Sequence, residues 1–110
     1  MRFDIHLGRA KRERGLEDHV RTRLFHALGR FRSRLEEVLV RFDDVNGPGR
    51  GGADQLCRIR VRVRGLHEFV VEDRAGDASS AVDLAAHRMR KVVARAIERM
   101  RGRPERRLAS

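Results

Sequence analysis

Four arginines alternate with apolar residues along residues 57–65, a spacing that places their guanidinium groups in one row. The row consists of Arg58, Arg60, Arg62 and Arg64. Guanidinium groups bind both phosphates and carboxylates through paired hydrogen bonds, so the row predicts either an anionic partner or internal ion pairs. Carboxylates at Glu37, Asp43, Glu68 and Glu72 are predicted on the same surface. The sequence leaves RNA contact and cross-strand ion pairing equally open.

A second group of basic residues recurs at three- and four-residue spacing near the C-terminus, which places it on one side of a helix. This stripe consists of Arg88, Lys91, Arg95 and Arg99, and Leu84 extends it as an exposed apolar contact. Glu98 is the one acid predicted close enough to offset it. The stripe therefore favours contact with RNA phosphates over a merely solvated surface.

A third group forms a ridge on the first predicted helix. It consists of His19, Arg23, His26 and Arg30, at spacings of four, three and four residues. Arg23 and Arg30 are candidate RNA-binding residues. The two histidines are about 10 Å apart along a helix, too far to share a metal ion, and no other histidine has ligand spacing. We therefore expect no metal site.

The acids could in principle supply acid-base catalysis, and the candidates are Asp43, Asp44, Glu72, Asp73 and Asp83. No nucleophile, metal spacing or cofactor loop accompanies them. We expect no enzyme activity, no cofactor and no small-molecule substrate. Residues 44–54 are glycine-rich but lack the Gly-Lys-Ser/Thr ending of a phosphate-binding loop, so a mobile loop of unassigned role is expected.

The overall charge narrows the partner. Among 110 residues, 26 are Lys or Arg and 16 are Asp or Glu, which gives a formal net charge of +10. Such an excess suggests nucleic acid before membrane. No apolar run is long enough for a signal peptide or membrane span, so we expect a monomeric cytoplasmic protein. The single cysteine, Cys57, is expected in the core.

The aromatic content indicates how RNA would be recognised. The chain has five phenylalanines but neither Trp nor Tyr. All five are expected in the core or at its edge, with Phe25 the least certain. The chain therefore lacks the aromatic residues that usually form a base-stacking platform. We expect it to recognise folded RNA by its phosphates and its shape.

Two periodicities define the elements that position these residues. Period-two alternation predicts strands at residues 1–7, 35–43, 57–65 and 67–73. Helical spacing predicts one helix from Leu16 to the arginines at 30–34, with Glu13, Glu17 and Asp18 at its start. A second helix is predicted from an N-cap at Asp77 to a stop at Gly102 and Pro104.

The order β-α-β-β-β-α predicts an α+β fold of two layers. The first two strands should be parallel and the last three antiparallel, in one four-stranded mixed sheet. Both helices must cover the same sheet face, because only one face is apolar. Residues 1–100 are expected to form one domain, and 101–110 a basic flexible tail.

Residues 81–89, AVDLAAHRM, resemble the AIDLAVDKL helix start of the ribosome hibernation-promoting factor and ribosome-associated inhibitor A family. Two further features resemble the family. They are the DVNG opening of the loop after the second strand and the arginine that follows Cys57. The similarity extends over about residues 1–100. His87 and Arg88 stand where the family has an Asp-Lys pair. We expect a short form, without the C-terminal domain of long members.

This resemblance implies a fold related to double-stranded-RNA-binding domains. It also implies a ribosome-associated stress-response protein that binds rRNA in the decoding channel of the small ribosomal subunit. Such a protein would block mRNA and tRNA sites and so inhibit translation, or hold ribosomes in protective hibernation. The alternative is a general RNA-binding module of double-stranded-RNA-binding type without ribosome specificity.

Overall fold

Four strands and two long helices follow one another in the order β-α-β-β-β-α. The computed structural model describes residues 1–45 and 54–109, with side chains described as far as residue 102. The elements are β1 (Arg2–His6), α1 (Leu16–Leu28), β2 (Leu35–Asp44), β3 (Gln55–Val63), β4 (Glu68–Ala75) and α2 (Ala78–Ala109). Short 3-10 helices at Gly8–Arg12 and Gly29–Arg34 flank α1.

The strands form one mixed sheet in the order β1-β2-β3-β4. β1 pairs parallel to β2, and the β2–β3 and β3–β4 pairs are antiparallel. The backbone N–H of Val45 donates to the carbonyl of Asp54 at 2.9 Å and closes the base of the β2–β3 connection. The predicted strand order is confirmed, whereas the loop expected at 44–54 lies mostly outside the described residues.

One hydrophobic core lies between the sheet and both helices. The inward residues of the sheet and helices belong to a single buried cluster, which includes Val40, Ile59 and Val61 from the sheet and Val20 and Met89 from the helices. Fully burying a side chain of this size contributes roughly 1.5–3 kcal/mol. The predicted α+β fold with both helices on one face is therefore confirmed.

The strand phases follow from burial. On β4, Phe69 and Val71 face the core, and Val70 points outward with 52% of its surface exposed. β2 contains an irregularity between Leu35 and Glu37, so Leu35 and Val38 both reach the core although they are three positions apart, an odd spacing in a strand. The other sheet face stays open to solvent.

The helix ends differ from the predicted ones. The first helix is α-helical only to Leu28 and continues as a 3-10 turn, since Gly29 has low helix propensity. α2 runs to Ala109, so neither Gly102 nor Pro104 ends it. Gly102 lacks the positive φ of a left-handed helix cap. The flexible tail at 101–110, and the domain boundary before it, stay predictions.

Two acids cap the start of α2. Asp77 Oδ1 accepts the N–H of Ser80 at 2.7 Å, which confirms the predicted N-cap and holds the pKa of Asp77 below its usual value. Glu13 accepts the N–H groups of Ala78 at 3.1 Å and Ser79 at 2.9 Å, and also the Ser79 hydroxyl. The expectation that Glu13 serves the start of α1 is wrong, because its carboxylate reaches across to α2.

Candidate nucleic-acid interface

The open sheet face carries the predicted arginine row, and most of that row is neutralised. Arg58 Nε donates to Glu72 Oε2 at 2.6 Å, across the β3–β4 pair. Arg60 Nε lies 3.5 Å from Glu68 Oε1. Arg62 lies 3.5 Å from a Glu36 carboxylate oxygen and 3.6 Å from one of Glu37. The sequence left RNA contact and ion pairing open for these three arginines. In the structure each of them lies within ion-pair distance of a carboxylate.

The strand registers explain this neutralisation. They place six arginines and five carboxylates on the open sheet face: Arg2, Arg41, Arg58, Arg60, Arg62 and Arg74 with Asp4, Glu37, Asp43, Glu68 and Glu72. The face is therefore close to neutral. Arg64 lies beyond β3, in the turn to β4, where its backbone N–H donates to Arg34 O at 2.7 Å. It is thus not a member of the strand row.

The stripe on α2 is mostly free of carboxylate partners. Lys91, Arg95 and Arg99 are exposed, and no ion pair reaches them from the described part of the chain. Arg88 differs, because its Nη2 lies 2.9 Å from Asp73 Oδ1 on β4. The prediction that Glu98 is the only nearby acid is therefore wrong. Sequence spacing within one helix does not show what a neighbouring strand contributes.

The ridge on α1 is tied to α2 by one carboxylate. Asp83 Oδ1 lies 2.7 Å from His19 Nε2 and accepts a hydrogen bond from Arg23 Nε at 2.8 Å. Asp83 therefore joins α1 to α2, a role that spacing within one helix does not show. Arg30 lies in the 3-10 turn after α1, with its guanidinium 4.7 Å from the centroid of the Phe31 ring.

A polar groove lies between α1 and α2, next to the contacts of Asp83. Its charged and titratable lining is Arg23, His26, Asp83, His87 and Arg90. Sequence reasoning did not select Arg90, although it lies seven residues, or two turns, after Asp83 and so shares that side of α2. We call the outward side of α1 and α2 the helical face. It holds the largest group of unneutralised basic side chains on the helices.

Other chemistry receives little support. Burial raises the pKa of the Cys57 thiol to about 12, with the Asp73 charge acting in the same direction, so the thiol stays protonated in the core. The described residues contain no group of three or more side chains placed to hold a metal ion. Within the same residues, neither helix has an apolar stretch suited to crossing a bilayer.

Comparison with known proteins identifies the family of this chain. A family model described as sigma 54 modulation protein / S30EA ribosomal protein matches residues 9–101. The chain belongs to this family. This is the ribosome hibernation family that residues 81–89 resemble, so the family predicted from the sequence is confirmed.

Solved structures show the S30EA fold directly. A ribosomal subunit interface protein from Coxiella burnetii superposes with a TM-score of 0.64 at 12% identity. The superposition covers 88% of this chain and 96% of that chain. At this identity the similarity establishes the shared fold. No curated protein sequence matches the chain.

Proposed function

We propose that this S30EA-family protein binds the small ribosomal subunit through rRNA of the decoding channel and occupies space that mRNA and tRNA need. The observation that carries the proposal is the helical face, where Lys91, Arg95 and Arg99 are exposed and no carboxylate among the described residues pairs with them. Family membership supports a ribosomal partner, and the charge supports RNA as the surface contacted.

The proposed mechanism is occlusion by a rigid domain. The continuous core joins the sheet and both helices, so the protein presents fixed basic surfaces to folded RNA. No bond is made or broken, and the result is inhibition of translation or protection of idle ribosomes. Binding as a monomer in the cytoplasm is part of the proposal.

Gradient sedimentation with purified subunits tests it. The protein should travel with small subunits, and its affinity should fall at least about 100-fold between about 50 mM and 200 mM salt, because each neutralised phosphate releases counterions. Small subunits preloaded with mRNA and tRNA should exclude it. Binding that is the same on loaded and vacant subunits would contradict occlusion.

Competition with duplex RNA of arbitrary sequence distinguishes binding to the small subunit from the alternative, a general RNA-binding module. Equal affinity for that duplex and for vacant small subunits at physiological salt would favour a general RNA-binding module. A large-subunit control in the same gradients reports non-specific attraction between a basic protein and rRNA.

A further inference from the structure

An apolar groove lies beside the helical face, between α1 and the first two strands. Its volume is about 290 Å³. Its apolar lining includes Met1, Phe3, Leu24, Phe25, Leu28 and Val38. Met1 and Phe25 are each 66% exposed, so the patch is open to solvent.

Phe25 is the aromatic residue at the groove that the core does not explain. Its ring packs over Gly29, where an added Cβ would lie 3.5 Å from the nearest ring carbon. That distance is an ordinary van der Waals contact, so the ring lies directly against the backbone at Gly29. The expected core-edge position of Phe25 is wrong, because two thirds of its surface faces solvent.

The charged groups that line the groove are two arginines. The Arg21 guanidinium lies 5.6 Å from the centroid of the Phe3 ring, and its Nη2 is 3.4 Å from a Glu17 oxygen. Arg32 Nη1 donates to the carbonyl of Gly29 at 3.1 Å. No carboxylate lies within ion-pair distance of Arg32 in the described ranges. The groove thus combines aromatic rings with an unneutralised cation.

This combination fits a nucleotide with its base out of the stack. RNA-binding proteins hold such bases on aromatic rings or guanidinium planes and bind the attached phosphate with arginine. An apolar peptide would gain nothing from Arg32. A nucleotide uses both parts of the groove.

The groove also adjoins the surface proposed to meet rRNA. His26 follows Phe25 on α1, and their rings make an edge contact with centroids 6.1 Å apart. His26 lines the polar groove between the helices, whereas Phe25 lines the apolar one. An RNA strand crossing α1 would therefore meet both.

We infer that the groove beside Phe25 binds one unstacked base of the bound rRNA, with its phosphate on Arg32. The inference rests on the proposed function and adds a base-binding site to a surface otherwise described by charge. It also replaces the expectation that a chain without Trp and Tyr cannot stack a base.

A tryptophan at position 25 makes the site visible, since the chain contains no other tryptophan. Titrating Phe25→Trp with adenosine monophosphate should quench its fluorescence saturably, because the base stacks on the indole. Ribose 5-phosphate and inorganic phosphate should not. Val70→Trp, at a position 52% exposed on the open sheet face, is the control and should respond to none of them. Equal responses at both positions, or none at position 25, would overturn the inference.

Phe25→Ala tests the site in the complex. Because Phe25 is mostly exposed, the variant should fold, which circular dichroism checks. It should bind both small subunits and naked small-subunit rRNA about tenfold more weakly than wild type, with an unchanged salt dependence, since a stacking contact is lost and no charge is removed. Val70→Ala, the matched apolar control on the open sheet face, should bind as wild type does.

The outcomes separate the two claims. Wild-type affinity of Phe25→Ala for subunits and rRNA would overturn the base site and leave the proposed function intact. Weaker binding to subunits but not to naked rRNA would mean that a ribosomal protein fills the groove, which also contradicts the inference. If wild-type protein ignored small subunits, the proposed function would fail, and the tryptophan titration would still decide whether the groove takes a base.

Discussion

The open sheet face and the helical face both carry basic side chains but differ in the carboxylates that surround those side chains. On the sheet, antiparallel neighbours bring Glu68 and Glu72 to the arginines of β3. On the outward side of α2, Lys91, Arg95 and Arg99 meet no carboxylate of the described residues. The comparison shows that a row of arginines is a poor guide to a binding surface until its neighbours are known.

The difference has a physical origin in sheet and helix geometry. Residues directly opposite on neighbouring strands have Cβ atoms about 4.5–5.5 Å apart, so acids on β2 and β4 reach β3 easily. The outward side of α2 has no strand at that distance from Lys91, Arg95 and Arg99, whereas Arg88 reaches Asp73 on β4. Unneutralised charge therefore collects on the helices.

The largest difference in affinity for small subunits is expected between variants that lose the basic side chains of one face or of the other. Replacing Lys91, Arg95 and Arg99 with Gln should weaken binding to small subunits about 100-fold at about 0.1 M salt, and lower the slope of log affinity against log salt by about two to three. The matched variant replaces Arg58, Arg60 and Arg62 with Gln and should change affinity no more than about threefold, because those side chains already bind carboxylates. Filter binding across a salt series measures both.

Both triple variants lower the net charge by the same amount, so the long-range attraction to RNA is matched between them. A difference in affinity therefore reports contacts. Equal losses on the two faces would refute the distinction between them, and a larger loss on the sheet would reverse it.

A change at Glu13 should separate stability from binding. Glu13→Ala leaves the first N–H groups of α2 without their carboxylate, and we expect unfolding in urea to require about 1–2 kcal/mol less free energy. Glu17→Ala removes only an exposed pair with Arg21 and should change that free energy by less than about 0.5 kcal/mol. Folded Glu13→Ala should still bind small subunits, since the cap lies far along α2 from Lys91.

Removing the charge of Asp83 should move binding and stability in opposite directions. Asp83→Asn frees Arg23 and His19 on the helical face and should raise affinity for small subunits about two- to fivefold, because the face becomes more positive. It should lower stability by less than about 1 kcal/mol, since the ion pairs are partly exposed. Glu98→Gln removes an exposed charge on α2 that has no ion-pair partner among the described residues, and should raise affinity with no loss of stability. Reduced affinity of Asp83→Asn would show that Arg23 must be held in place.

Exchanging one ion pair on the sheet should have the smallest effect. The double variant Arg58→Glu with Glu72→Arg keeps the pair and the net charge, and should alter neither affinity nor stability by more than about 0.5 kcal/mol. Calorimetry and filter binding are the measurements. A tenfold loss of affinity would mean that Arg58 itself contacts RNA.

Much of the fold follows from residue patterns. The alternation through Cys57, Ile59, Val61 and Val63 predicts the inner face of β3, and the structure buries all four. The apolar spacing from Val82 to Ile97 likewise predicts the buried side of α2. These patterns suffice because burial depends on local periodicity, which each element carries in its own sequence.

The candidate site was only partly predictable. Lys91, Arg95 and Arg99 follow from helical spacing, and the structure leaves them exposed as expected. Arg88 and Arg23 fit the same spacing, yet each binds a carboxylate from another element, Asp73 and Asp83. The exposure of Phe25 was not predicted, because the way a helix sits against a sheet edge is not a property of the helix alone.

The sequence by itself determined the strands, the helices, the apolar core and the surplus of positive charge, since periodicity and composition need no partner. Only the tertiary structure decided where that charge is cancelled. Ion pairs such as Arg58–Glu72, His19–Asp83 and the contact of Glu13 with Ser79 join residues separated by 14 to 66 positions. Such pairs depend on strand register and on how α1 lies beside α2, because the attraction between two charges in water is only about 1 kcal/mol at about 4 Å and is largely screened beyond about 10 Å at about 0.1 M salt.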